Sequence, residues 1–395
     1  MKIGTTLYFD HQATTPVDAR IVTAMTPYYS EAFGNPHSSD HSLGWESASA
    51  VEKSAACVAR LIGADADEIT FTSGATESNN LALLGLGRRA AGGKRRRILV
   101  SAIEHKCVLA AARVLQEQSG FAVELIPVDT EGFVEVSALE EALDDDVLVV
   151  SIIAVNNEIG TIQDIGRISE LVRSYGAVFH CDAAQAPMAM DMGSMANQTD
   201  MLSLSAHKMY GPKGIGAIYI AREWQDQIEP LIYGGGQQNG LRSGTVPVPL
   251  CVGMGAAADI FAAADAEEKR AQLCCRRDAF VEMLNRLPWL RALNGPQGQA
   301  RHPGNANIRF AEFSAEDILS ALQPHLAAST GSACTSGIPE PSHVLRAIGL
   351  NGEEAESSIR FSLGFDTTDA DLEEAVRLIT EALTRLTRAG LCAES

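Results

Sequence analysis

A chain of 395 residues is longer than one hydrophobic core usually grows to, so two lobes are expected. Hydrophobic residues at 46% and charged residues at 21% are ordinary for a globular enzyme and exclude the disordered and fibrous classes. Lys and Arg total 31 against 50 Asp and Glu, a formal charge of −19 that repels nucleic-acid backbones and anionic membranes, so no direct nucleic-acid or membrane partner is expected.

The opening stretch, MKIGTTLYFD, has no apolar signal core and does not suit a transit peptide, which points to a cytoplasmic location. From about residue 60 to 220, β-branched apolar runs alternate with amphipathic helices. The runs are Glu68–Thr72, Ile98–Ser101, Glu124–Val128, Val147–Ala154, Ala177–Asp182, Met201–Ser205 and Ala217–Ala221. Such alternation predicts a mostly parallel sheet covered on both faces, with ligands bound where strands run out into loops. The longest apolar stretch, Val147–Val155, is far short of the roughly 20 residues that span a bilayer.

The first of those exits is Phe71 to Asn80, where small residues turn the chain into a helix starting near Thr76. Unpaired amides and the dipole at a helix start suit a phosphate, although an ordinary helix cap has the same look. A basic run follows (Arg88, Arg89, Lys94 to Arg97), which a solvated turn explains. Next come Ile103-Glu104-His105-Lys106 and Asn156-Asn157-Glu158-Ile159-Gly160, each after a strand. The imidazole of His105 could stack on a cofactor and move protons there, and Asn156 could donate to a substrate carboxylate.

The strongest signal is a pair. Asp182 closes one strand and Lys208, in Ser205-Ala206-His207-Lys208, follows another. One strand–helix–strand unit separates them, which places both at the same sheet edge. A lysine for a covalent imine and an acid beside a pyridinium nitrogen are what pyridoxal 5'-phosphate (PLP) requires of its protein.

A second region begins near Pro247–Leu250, with one long helix expected from Gly253 to about Leu287. The run IRFAEF, a helix, the loop Ala328 to Gly337, the strand Ser357–Ser362 and a last helix Asp369–Arg388 complete a smaller α/β lobe. Of eight cysteines, none has metal-ligand or CxxC spacing, and reduced thiols are expected. Cys334 stands apart, because it sits in a small polar loop where reactive rather than structural thiols are found. Arg360 could clamp an amino-acid carboxylate, or simply pair on the surface.

At these residues the chain resembles the NifS/IscS-like cysteine desulfurases of the class V aminotransferase superfamily. The matching segments include Tyr8-Phe9-Asp10 with Ala13-Thr14-Thr15-Pro16, FTSGATES, EHK, VNNEIG, HKMYGPKGIGA, RSGT, GSACTSG, EPSHVLRAIGL and SSIRFSLG, in the family's order from about Tyr8 to Leu386. Ala206 stands where the family often has glycine.

The resemblance implies a homodimeric PLP-dependent transferase of fold type I. Its large domain (15–250) would hold a mostly parallel, mixed seven-stranded sheet, and residues 1–14 and 251–395 would form a small α/β domain carrying the cysteine loop at about 328–340. Lys208 would bind the cofactor covalently, Asp182 would pair with its ring nitrogen, His105 would stack on the ring and Gln185 would contact its phenolic oxygen. Ala75, Thr76, Ser205 and His207 would hold the phosphate, joined by Thr245 of a second copy. Asn156 and Arg360 would grip the carboxylate of L-cysteine, and Cys334 would take its sulfur for an acceptor protein, an iron–sulfur scaffold or a sulfur carrier. Selenocysteine lysis or another class V reaction is the nearest alternative, and a catalytically idle sulfur-relay subunit is a further one.

Overall fold

The computed structural model describes residues 2–331 and 342–390. Cys334, the rest of its expected loop beyond residue 331, and Cys392 lie outside those residues. Two short antiparallel strands open the chain, β1 (Lys2–Ile3) and β2 (Thr6–Tyr8). The seven-stranded sheet follows: β3 (Ile69–Thr72), β4 (Arg97–Ser101), β5 (Ala122–Ile126), β6 (Val147–Ser151), β7 (Val178–Asp182), β8 (Met201–Ser205) and β9 (Gly216–Ile220). Its order is β3-β9-β8-β7-β6-β4-β5. The run from β8 to β5 is parallel throughout, and β9 is antiparallel to both its neighbours. The mostly parallel sheet expected from the alternation is observed, and with β9 antiparallel it is the mixed seven-stranded sheet that the resemblance implies.

Burial explains why these runs are strands. Every residue of β6, β7, β8 and β9 is buried, as a sheet covered on both faces demands, so the few polar residues in these strands, such as His180, Ser203 and Ser205, are buried small or hydrogen-bonded groups. Because β4, β6, β7 and β8 are parallel neighbours, their carboxyl ends open on one side of the sheet. His105, Asn156, Asp182 and Lys208 all lie at those ends.

The long helix expected over Gly253–Leu287 is two helices, Val248–Ala262 and Ala266–Asn285, bent by 78° at a short break where Ala263 is extended. The reason is packing. The first lies against the helix Ser42–Ile62, whereas the second packs on Asp369–Arg388 in the other lobe, and one straight helix could not reach both. The position 250 taken as a boundary falls inside the first of them.

The smaller lobe contains β10 (Arg291–Leu293), β11 (Asn305–Phe310), β12 (Leu326–Ala327) and β13 (Ser358–Ser362). Strands β10, β11 and β13 form an antiparallel sheet, while β12 joins β2 in parallel. Thus the two ends of the chain meet, and an isolated bridge from Asp10 to Ser362 continues that seam toward Arg360. Among the described residues, no single helix is long and apolar enough to cross a membrane.

Candidate active site

The sheet exits enclose a cavity of about 750 Å³. Lys208 enters it from the short turn after β8. Its ammonium is held by two backbone carbonyls, donating to Gln12 O and, at 2.9 Å, to Ala13 O. Burial, aided by the nearby Arg360 charge, brings the Lys208 pKa down from 10.5 to about 8, against the opposing pull of Asp10 and Asp182. A lysine so placed is readily a free amine, which is the nucleophilic form.

Asp182 ends β7 as a buried carboxylate. One oxygen accepts the Ala184 N–H at 3.0 Å and the other accepts Asn79 Nδ2 at 2.7 Å. Behind it, burial pushes the Glu104 carboxyl well above its ordinary value, and Ser101 and the Ile153 N–H hold one of its oxygens. Burial thus disfavours charge on Glu104, while both oxygens of Asp182 are held by donors.

At the next corner, Gly74 adopts φ +150°, and a side chain there would meet only Ser205 Oγ, at 3.9 Å. The helix Ala75–Asn80 starts at once and runs on through Leu81–Gly85, so bare amides face the cavity beside Ser205 and Thr76. Glycine is required again at Gly216, where a Cβ would lie 2.6 Å from both Gly74 Cα and Leu204 O. His207 closes this corner with Nδ1 3.1 Å from Thr14 Oγ1, and burial holds its pKa down to about 4, so the ring is neutral. Glu77 ties the turn to a distant segment through Arg242, at 2.8 Å.

Opposite stands Arg360, from β13. It donates to Asn157 O at 2.7 Å, to Asp10 Oδ1 at 2.7 Å and to Ser329 Oγ at 2.9 Å, while its Nε is buried without a partner. A guanidinium with a spare buried donor at a cavity wall can receive a carboxylate. Glu158 lies beside it, with Oε2 accepting from Ser342 Oγ at 2.5 Å. Burial raises its pKa.

The structure therefore gathers nine of the expected residues in one cavity: Ala75, Thr76, His105, Asp182, Gln185, Ser205, His207, Lys208 and Arg360. Two stand apart. Asn156 is fully buried behind the wall, where its Oδ1 accepts the Glu158 and Ile159 N–H groups at 2.8 and 3.0 Å and its Nδ2 donates to Ile103 O. It shapes the turn that presents Asn157 and Glu158. Thr245 is exposed and outside this cavity. Gln12, Asn79, Cys107, Glu158 and His343 also line the cavity. Three of them (Asn79, Glu158 and His343) sit inside motifs read from the sequence, but without a role, because nothing local shows that a neighbour of a strong residue also faces inward.

The donor set fits PLP. It offers an amine at Lys208, a carboxyl at Asp182 to pair with a pyridine nitrogen, bare amides and hydroxyls for a phosphate, and a spare Gln12 Nε2 buried without a partner. Among the described residues no cluster of His, Cys, Asp and Glu could hold a metal ion.

Residues 7–375 match the Aminotransferase class-V family. A protein of Rickettsia bellii described as cysteine desulfurase IscS is 45% identical over 380 residues, covering 96% of this chain and 92% of that one. Among solved structures, a NifS-like protein superposes with a TM-score of 0.89 at 34% identity, over 96% of this chain and all of its own. SspA in complex with cysteine superposes with a TM-score of 0.79 at 36% identity, over 91% of this chain and 99% of its own.

Proposed function

The chain belongs to the class-V aminotransferase family, and we propose that it is a PLP-dependent cysteine desulfurase, which converts L-cysteine to L-alanine and leaves the sulfur as a persulfide on Cys334. The observation that carries this reading is the meeting, in one cavity, of a buried lysine with a pKa of about 8, the buried, doubly hydrogen-bonded Asp182 and an arginine with a spare donor.

Lys208 would carry the cofactor, Asp182 would pair with its ring nitrogen, and His105 and Gln185 would flank the ring. Ala75, Thr76, Ser205 and His207 would hold its phosphate. When bound, PLP supplies an electron sink for the carbanion formed at the substrate α-carbon. Arg360 binds the substrate carboxylate through its unpartnered Nε, and Asn156 steadies the adjoining turn. Lys208, released as a free amine, takes the α-proton and later returns one to the alanine being formed. His105 holds the substrate beside the ring. Cys334 attacks as its thiolate: its sulfur bonds to the substrate sulfur while the substrate Cβ–S bond breaks. Two thiols thus become one persulfide and one C–H bond, so atoms and electrons balance without an added oxidant.

The persulfide suits delivery to an acceptor protein, an iron–sulfur scaffold or a sulfur carrier. A second copy of the chain is the partner of choice for the apolar surface of Tyr29, Phe33 and Trp45, which are 62%, 64% and 59% exposed within one stretch of chain. Thr245, exposed and three residues after the Arg242 that pairs with Glu77, would serve such a copy's phosphate. The described cysteines are all free thiols, in keeping with a reducing cytoplasm.

The test is product analysis with L-cysteine and a reductant. The PLP-loaded protein should release alanine and sulfide in equal amounts, and Asp182→Asn and Lys208→Ala should release neither. Release of pyruvate and ammonia instead of alanine would refute the assignment.

A further inference from the structure

His105 is held twice by one residue. It precedes the helix Lys106–Ser119, and its Nδ1 accepts the backbone N–H of Cys107 at 3.2 Å. The thiol sulfur of Cys107 lies 3.0 Å from the same nitrogen. A ring nitrogen that accepts must carry its lone pair, so the neutral imidazole keeps its proton on Nε2.

The next link sets the direction of the thiol hydrogen. Asn79 Nδ2 donates to Asp182 Oδ2 at 2.7 Å and to Cys107 Sγ at 3.3 Å. The amide cannot turn over, because that would set its oxygen against the Asp182 carboxylate. Sulfur is the acceptor toward Asn79 and also toward the Thr76 hydroxyl, whose hydrogen bond lowers the thiol pKa, so its own hydrogen is left for His105 Nδ1. Burial first, and then the charge of Asp182, push this thiol up to about 12, so the hydrogen stays on sulfur throughout the neutral range.

Building on the desulfurase reading, we infer that Cys107 is a positioning residue whose thiol, oriented by Asn79, holds His105 as the neutral Nε2–H imidazole. The ring then offers the substrate or cofactor one hydrogen-bond donor and a flat face. Protonating it would require a hydrogen on Nδ1, which breaks the helix cap and the thiol contact together. The charges around the ring act on the same equilibrium: after burial, which disfavours the imidazolium most, Asp182 favours it, whereas Lys208, His343 and Lys106 oppose it. The thiol adds to the opposing side. Cys107 is thus linked through Asn79 to the acid expected at the cofactor nitrogen, and it couples that acid to the ring expected at the cofactor face.

The test is a pH titration of the His105 ring by 15N NMR in the histidine-labelled holoenzyme, with its signals identified by their loss in His105→Asn. Wild type, Cys107→Ser and Cys107→Ala are compared, together with kcat/KM for L-cysteine against pH. Cys107→Ala should raise the ring midpoint and the acid limb of kcat/KM by about 0.5–1 pH unit, the size of one lost hydrogen bond. It should also lower kcat/KM at pH 7 by about tenfold, as for other supporting contacts. Cys107→Ser, whose hydroxyl also donates, should restore both midpoints. An alanine variant that titrates like wild type, or a serine variant that titrates like alanine, overturns the inference. Should wild type yield no alanine from cysteine, the desulfurase reading fails while the ring midpoints still decide the role of Cys107.

Discussion

Replacing Lys208 by methionine should make the cofactor-free protein more stable at neutral pH. Burial holds the Lys208 pKa at about 8 against 10.5 for a free lysine. That gap corresponds to about 3 kcal/mol of disfavoured charge. Below about 8 the lysine is charged in both states and the whole penalty falls on the folded one. Between 8 and 10.5 the unfolded chain binds more protons than the folded chain, so stability rises with pH, and above 10.5 the penalty is gone. Methionine has nearly the same volume and no charge. It forgoes the two hydrogen bonds to Gln12 O and Ala13 O, worth about 1 kcal/mol each, so the net gain at pH 7.5 is about 1 kcal/mol. The pH dependence is the cleaner reading, because those bonds cancel from it. From pH 7.5 to 9.5 the wild type should gain about 2 kcal/mol relative to Lys208→Met in urea unfolding followed by circular dichroism. Parallel pH profiles for the two proteins would show that Lys208 is not buried against its charge, and the argument for a ready amine would fall.

Two further changes test the architecture around the site. Gly216→Ala should cost about 1–3 kcal/mol and reduce cofactor retention on dialysis, since its Cβ would press on the backbone of Gly74 and Leu204; a variant of wild-type stability and retention would show that this contact yields freely. Burial alone would raise the Glu77 carboxyl, but Arg242 and the Ser73 N–H outweigh it and hold the pKa below the usual 4.5. Glu77→Gln should therefore cost about 1 kcal/mol at pH 7, with the difference closing as pH falls below 4.5 through the lower folded value; a difference that persists at pH 3 would assign the effect to packing.

The seven sheet strands were legible because each is a compact apolar run punctuated by polar turns, and Met201–Ser205 was bounded to the residue. The last helix, Asp369–Arg388, was equally clear from its amphipathic period. The break at Ala263 was not legible, since alanine neither stops nor continues a helix by itself and the bend is set by which lobe each half packs on. Likewise β1, β2 and β12 are too short to show a period, and they pair only because the chain ends come together. In the site, Lys208, Asp182 and His105 could be found from strand exits alone. The outward position of Thr245, the buried setting of Asn156 and the inward faces of Cys107 and Glu158 depend on side-chain direction at turns, which no periodicity encodes.

The central claim is that sulfur from L-cysteine passes to Cys334, and one measurement reads it directly. The PLP-loaded protein is given one equivalent of sulfur-35-labelled L-cysteine without reductant, and protein-bound label is mapped by peptide digestion beside alanine release. Label is expected on the peptide containing Cys334, removable by a thiol, with one alanine per labelled site, and neither label nor alanine is expected with Cys334→Ala. Alanine release by Cys334→Ala at the wild-type rate, with no label on the chain, would contradict that claim and favour a lyase that needs no protein thiol.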